Sequence, residues 1–449
     1  MPDQIEQDKV EFRKEADICV IGGSCTGVFA AVRAARLGAK VIIVEKQNRF
    51  GGVAVSGLVG MWHSLFDINE DRQIIGGMTF EMLERMALKK AVGCDFKKAG
   101  GGQNGIRFNP EELCLELDKL ILENHVVPYL DTLFTRPVLN GTGNINYIFV
   151  ENRSGRGIIK AKVFIDASGD GALCMRAGFP MRIPEHPQPP TACLRIMNWN
   201  KLGNINLREL IENNRSKYPG LPCGYHWGMT VPGSDMYLLF GTRVLNSRLL
   251  DGEGFTAAEM ESRSQADAIM CLLRDIFPKT ELSLQGLPAY LGIRETAHIN
   301  SLYMLPGDEM ISGKHYEDAI ANGTYPIDIH DDSSDQIFFR RLDGAKHTCR
   351  NNVRHEEKCL PADTKPPTFY QIPLRSLIPG NSVNVLSAGR MIDADRYAFG
   401  AVRVMVNLNQ CGEAAGCSAV QMLESGCLPD TLDSAAVRRS LASGGSIIL

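Results

Sequence analysis

Apolar positions along the chain fall into two rhythms, and their alternation predicts the order of elements. The unbroken runs Ile18–Ile21 and Val41–Val44 have the length of strands buried on both faces of a parallel sheet. Between them, residues 27–37 are rich in Ala and predict a closely packed helix. Helical spacing returns over 78–90. Asn109-Pro110-Glu111-Glu112 is a helix start, with Asn as cap and Pro in the first turn. Leu113, Leu117, Leu120 and Ile121 then form one apolar face to about Asn124. From 126 to 168 the period becomes that of strands. Turn signals at Asn140-Gly141 and Ser154-Gly155 cut this stretch into a three-stranded meander. It closes on a buried strand at 163–165 and a second glycine turn at 166–171.

Residues 184–361 change character. Prolines cluster at 184–190, TACLRIMNW (191–199) and MYLLFGTRVL (236–245) are strand-like, and a helix is expected near 207–213. Thr256-Ala-Ala-Glu259 has the pattern of a capping box that opens a helix to about Ile276. LPAYLGIRETAHI (287–299) predicts a strand, and 313–361 is polar and irregular. The end of the chain returns to the opening style. A buried strand at 383–386 leads into the turn Ala388-Gly389-Arg390. A helix rich in small residues is expected from Gly400 to about Leu423, with Gly426 as its stop.

The chemistry concentrates at the first turn. Gly22, Ser24 and Gly27 keep the spacing G-x-G-x-x-G, with Ser in the middle place. Gly22 permits a sharp turn, a small residue at 24 lets a pyrophosphate approach, and Gly27 lets helix pack on strand. The helix N-terminus offers free N–H groups to phosphate. Glu45 ends the second strand where an acid grips an adenosine ribose. Gly100, Gly102 and Gly105 share the spacing, but they follow CDFKKA and precede IRFNP, without strand or helix, and predict a loop.

Composition narrows the class. The 449 residues suffice for two or three domains, and a net charge of −4 gives no reason to expect nucleic acid. No run approaches the ~20 apolar residues of a membrane span, and the charged first fifteen residues lack an apolar signal region. Thirteen scattered cysteines without a C-x-x-C predict a reduced, cytoplasmic chain.

Three glycine-bearing strand ends, at 22–27, 167–171 and 388–390, are more specific than any one alone. The pieces VIGGSCTG, VIIVEK with the Gly51-Gly52 doublet, FIDASGDG, LGIRET and LSAGRMIDADRYAFGAVRVM resemble the two-domain FAD-dependent oxidoreductases that include the fumarate reductase flavoprotein subunit. The likeness spans most of the chain and is weakest over 195–360. It implies an α/β fold. A Rossmann-like FAD-binding domain, with parallel sheet and β-meander, would be discontinuous over 14–190 and 362–430. An α+β substrate domain would be inserted at 191–361, and 431–449 would be a tail. It also implies roles. Gly22, Ser24 and Gly27, with Gly23 and Thr26, would face the FAD pyrophosphate. Glu45 would bind the adenosine ribose, with Lys46 beside it. Gly51 and Gly52 would run by the ribityl–pyrophosphate. Ala167, Gly169 and Asp170 would lie near the adenosine, and Gly389 and Arg390 near the ribityl chain. Gly400, Ala401 and Val402 would meet the pyrimidine edge of the flavin.

Other residues are candidates for chemistry. His63 follows the glycine doublet and has the type of an acid/base; with no motif for a covalent bond, FAD is expected to be non-covalent. Arg294 is either half of an ion pair with Glu295 or the grip on a substrate carboxylate. Asp393, Asp395 and Arg396 either cap turns, pairing with Arg390 or Arg396, or take part in catalysis. His347, Cys349, His355 and Cys359 have zinc-type side chains without a tight knuckle, and no metal is expected. Asp328, Asp331, Asp332 and Asp335 suggest a solvated acidic stretch. No cysteine lies between Glu45 and Gly93, so a dithiol beside the flavin is missing. No second fingerprint supplies an NAD(P)H domain. The expected function is hydride transfer between a small, possibly anionic, substrate and flavin N5, with an external electron donor or acceptor. The rival is a flavin-binding subunit that serves a partner protein.

Overall fold

The apolar four-residue runs become the centre of a five-stranded parallel sheet. The structure is a computed structural model and describes residues 9–100, 105–350, 353–361 and 364–449; Gly102 lies outside them. The strands are β1 (Ile18–Ile21), β2 (Val41–Val44), β3 (Val127–Tyr129), β4 (Val163–Asp166) and β5 (Val385–Ser387), in spatial order β5-β4-β1-β2-β3. Every neighbouring pair is parallel. The order reverses between β1 and β4. There the connections leave to opposite sides and open a crevice at the carboxyl ends of the strands. All three glycine turns sit at that edge.

The meander forms as expected. Leu133–Leu139, Ile145–Asn152 and Gly155–Lys160 pair antiparallel, and Phe12–Glu15 joins the last in parallel. Asn109 caps the helix Pro110–Glu123 by accepting from Glu111 N at 3.1 Å.

Helix α1 (Cys25–Arg36) packs against a long helix near the end of the chain. The expected single helix from Gly400 is two. α2 (Arg396–Val402) is capped by Asp395, which accepts from Tyr397 N and Ala398 N. α3 (Met405–Ser425) starts afresh after Arg403-Val404 and ends on Gly426. Its small residues serve helix–helix contact. A Cβ at Gly412 would lie 2.2 Å from Thr26 O, and one at Gly416 would lie 2.5 Å from Ala30 O. The buried pair Arg33–Glu413 ties α1 to α3, and Glu413 also accepts from Met78 N at 3.0 Å.

The middle of the chain departs further. The helix expected to open at Thr256 begins at Gly252, because Asp251 caps it and accepts from Gly254 N at 2.7 Å. Thr256 lies inside, its hydroxyl donating to Gly252 O. Segment 287–299 is extended but pairs only through the Gly292–Thr191 bridge and His298–Ile299. Within 313–361, expected to be irregular, Ala319–Gly323 pairs with Tyr370–Pro373. Ile327–His330, Ile337–Arg340, Ala345–Arg350 and Val353–Lys358 form an antiparallel sheet. A second antiparallel sheet, in order Trp227–Thr230, Tyr237–Phe240, Cys193–Met197, Ser283–Gly286, shares a separate core with the helix Gly252–Ile276. Leu305, Ile327 and Leu342 instead join the main core with α1 and α3. Among the described residues no helix is long and apolar enough to cross a membrane.

Candidate functional site

The crevice edge is shaped by close backbone approach. Gly22 has φ +107°, and a Cβ there would lie 2.2 Å from Ala167 O. One at Gly27 would lie 1.9 Å from Gly22 O, so only glycine lets this turn close. Ser24, in the place of a glycine, caps α1 and accepts from Gly27 N at 3.4 Å. Its backbone bridges to Gly51, and Gly51 N donates to Gly23 O at 2.8 Å. Glu45 is buried at the tip of β2, accepting from Gly23 N and, at 2.9 Å, from Gln47 N. Burial raises its pKa, and those two amides partly offset the effect.

Around the adenosine end implied by the sequence, distant segments meet. Lys46 Nζ donates to Tyr290 Oη at 2.8 Å and lies 3.9 Å from Asp170. Asp170 pairs with Arg390 and accepts from Thr296 Oγ1 at 3.0 Å. Arg390 therefore pairs across the turns of β4 and β5, and not with Asp393 or Asp395. Asp393 accepts from Ser301 N at 2.8 Å and faces Arg182. Arg396 is exposed and donates to His186 O, outside the cavity lining.

A cavity of about 480 Å³ runs from these turns inward. Gly22, Ser24, Thr26, Glu45, Lys46, Gly51, Gly52, Ala167, Gly169, Gly389 and Arg390 line it. Gly23 and Asp170 support the lining from behind through Glu45 and Arg390. Gly400, Ala401 and Val402 do not line it. They are buried inside α2, where a Cβ on Gly400 would meet the Asp328 backbone at 3.1 Å. The helix end at the cavity is that of α3. Met405 lines the wall, and Val404 precedes it without a side-chain cap. That end presents free N–H groups and positive dipole.

The inner chamber was largely hidden in the sequence. Asp328, placed in a solvated stretch from composition, is buried. It accepts from Tyr325 Oη at 2.8 Å and from Arg403 Nη2 at 3.0 Å, and His330 Nε2 lies 3.1 Å from its Oδ1. Burial opposes its ionisation, but His330, Arg403 and Arg294 outweigh that and hold the carboxyl below the usual range. Burial, with the Arg294 charge, pushes His330 down to about 3. Burial pushes His63 down to about 4, and its ring lies 4.0 Å from that of Tyr325. Both imidazoles are neutral at pH 7.

Arg294 and Glu295 do not pair. Glu295 turns away to His298 at 3.0 Å and to Gln188 N at 2.9 Å. Arg294 donates through Nη1 to Pro189 O at 2.6 Å and Thr191 Oγ1 at 2.7 Å, and it lines the cavity. Burial lowers it to about 9, so it stays charged at neutral pH. Among the described residues it has no ion-pair partner. His347, Cys349, His355 and Cys359 do not converge. Cross-strand pairing puts His355 beside Thr348, on the opposite face from His347 and Cys349. No group of three metal-type side chains occurs among the described residues.

A family model for FAD dependent oxidoreductases matches residues 17–441. The chain belongs to that family. It is therefore an oxidoreductase enzyme, and FAD is its cofactor. The residues fit the group. The glycine turns leave no room for Cβ atoms, the buried carboxylate of Glu45 lines the cavity at the tip of β2, and α3 turns its positive end inward. Among the described residues, four buried polar atoms of the lining, Asp328 Oδ1, Asn409 Oδ1, Arg390 Nε and Arg403 Nε, have no hydrogen-bond partner. The mitochondrial dihydrolipoyl dehydrogenase of Schizosaccharomyces pombe is 29% identical over 184 residues, 37% of this chain and 32% of that protein. The match thus spans about a third of that relative. Among solved structures, a geranylgeranyl bacteriochlorophyll reductase-like protein from Thermoplasma acidophilum covers 96% of this chain and 83% of its own, at 11% identity and TM-score 0.45. The flavin-dependent brominase Bmp2, as a triple mutant, covers 95% and 85%, at 11% identity and TM-score 0.46.

Proposed function

We propose that this oxidoreductase transfers a hydride between a small anionic organic substrate and N5 of FAD. Bound FAD supplies the two-electron carrier. The carrying observation is Arg294, a half-buried cation on the wall of the inner chamber that has no salt bridge among the described residues and feels the Asp328 carboxylate only through space. Desolvated charge of this kind is costly unless an anion completes it. A substrate carboxylate would do so through charge-assisted hydrogen bonds and would orient the reacting carbon. His330, neutral and with Nε2 toward Asp328, leaves Nδ1 to take or return the substrate proton. The glycine turns with Glu45 hold the cofactor, and α3 sets positive potential beside it. Residues 191–361 supply most of the substrate side of the wall.

FAD is held without a covalent bond in this reading. The cavity thiols Cys25 and Cys193 are both pushed up by burial, Cys25 to about 12, so neither carries a thiolate to attack with. An external electron donor or acceptor completes turnover.

The test is anaerobic mixing of FAD-loaded protein with small hydroxy and amino acids and with their neutral esters and amides. Bleaching by acids, and not by neutral analogues, is expected. Flavin that every acid leaves oxidised and every alcohol or amine bleaches would refute the anionic substrate.

A further inference from the structure

The inner chamber lies between two sheet faces, and their register says what shape fits. On one sheet Trp227 pairs with Phe240, and Phe240 pairs with Cys193. Cross-strand partners share a face, and all three line the cavity. The Trp227 and Phe240 rings stack, with centroids 4.1 Å apart and planes 15° apart, so a further flat ring joins them only on an outer face of the stack. Arg294 is fastened to the same strand, since Thr191, its partner at 2.7 Å, stands two residues before Cys193. Residues two apart point to one side, about 7 Å from each other. The cation therefore sits at the end of the aromatic wall, roughly one ring-length away.

A further part of the lining comes from the second sheet. Asp328 pairs with Phe339, and His330 pairs with Ile337. All four line the cavity, so this face brings an aromatic ring, an aliphatic side chain and the neutral imidazole. The chamber is thus a slot lined by aromatic and aliphatic side chains, with the Arg294 cation on its wall. We infer that the substrate is a planar aromatic or conjugated carboxylate, its ring between Trp227–Phe240 and Phe339 and its acid group on Arg294. This deepens the anionic-substrate reading and rests on it for the role of Arg294. Offset stacking rewards a flat ring beyond the area it buries, and an aliphatic acid of equal size has no such gain.

Binding alone tests this, without turnover. FAD-loaded protein is titrated with benzoate, with cyclohexanecarboxylate (same charge, puckered ring) and with benzyl alcohol (flat, neutral). Perturbation of the flavin absorbance and calorimetric heat are both read. Benzoate should bind at least tenfold more tightly than either control. Arg294→Met should weaken benzoate at least tenfold and leave benzyl alcohol unchanged. Trp227→Leu should weaken benzoate at normal FAD content. Equal affinity for benzoate and cyclohexanecarboxylate would overturn the inference, as would no benzoate binding at 10 mM. A folded Trp227→Leu protein that loses FAD would overturn it too, because the wall would then seat the cofactor. Benzoate binding without flavin bleaching by any acid would remove the hydride-transfer reading and leave the slot in place.

Discussion

Glu45, buried, and His330, half-buried, are both titratable, and they answer to different tests. Glu45 is held by two backbone amides at the tip of β2, ready to accept from a ribose hydroxyl. Losing one charged hydrogen bond costs about 1.5–3 kcal/mol. Glu45→Ala should therefore weaken FAD binding roughly 10- to 150-fold, read by titrating apo-protein with FAD and following flavin fluorescence. Retained affinity would move the ribose elsewhere. For His330 the folded pKa is about 3, against about 6.5 for an unperturbed imidazole. Below pH 6.5 the unfolded chain takes a proton that the folded chain refuses. Stability from this residue falls as pH drops from about 6.5 toward 3, and nothing changes above 6.5. Asp328 stays ionised across that window. The Tm advantage of wild type over His330→Gln should shrink between pH 7 and pH 5 in scanning calorimetry. A constant difference would mean that His330 is not a buried neutral imidazole. Glu45 was legible from its place after a strand. His330 was not, because nothing near it in sequence marks a site.

At the scale of elements, the contact between α1 and α3 decides whether the cofactor turn is held. A Cβ at Gly412 would press on the Thr26 carbonyl, which is backbone and cannot swing aside. Gly412→Ala should cost about 1–3 kcal/mol by overpacking and should lower FAD content. Gly252 is exposed at the first position of its helix, with nothing within 4 Å of its Cβ position. Gly252→Ala should be neutral or stabilise by up to about 1 kcal/mol. Urea midpoints of the two variants should shift in opposite directions; a matching shift would deny the close helix contact. Elements with a strong apolar period, such as β1, β2 and the helix Pro110–Glu123, were legible in the sequence. The strand Val353–Lys358 was not, because all six of its residues are exposed and show no alternation. The break between α2 and α3 was equally silent. Asp395 caps one helix, and the other begins at a residue without a side-chain cap.

Across the whole molecule, the cavity draws on segments near 22–52, 167–170, 290–294, 328–339, 389–390 and 403–409. A ligand bound there crosslinks the fold without a covalent bond. FAD at 100 times its Kd should add about 2.7 kcal/mol of stability, seen as a Tm several degrees above that of apo-protein. Acid precipitation should leave the flavin in the supernatant, and a yellow pellet would mean a covalent bond. The sequence by itself determined the strand–turn–helix unit, the terminal acid Glu45 and the three glycine strand ends. Those features are local, since a glycine turn and a buried four-residue run declare themselves within a few residues. The parallel sheet and its crevice follow from the handedness of such units. Only the tertiary structure decided the inner chamber. Asp328, His330 and Trp227 are ordinary in sequence, and Arg294 stood there with two readings, because a charge without local context looks the same on a surface as in a site. They became a chamber when two antiparallel sheets brought residues to one cavity, since burial and the company of other charges come from long-range packing.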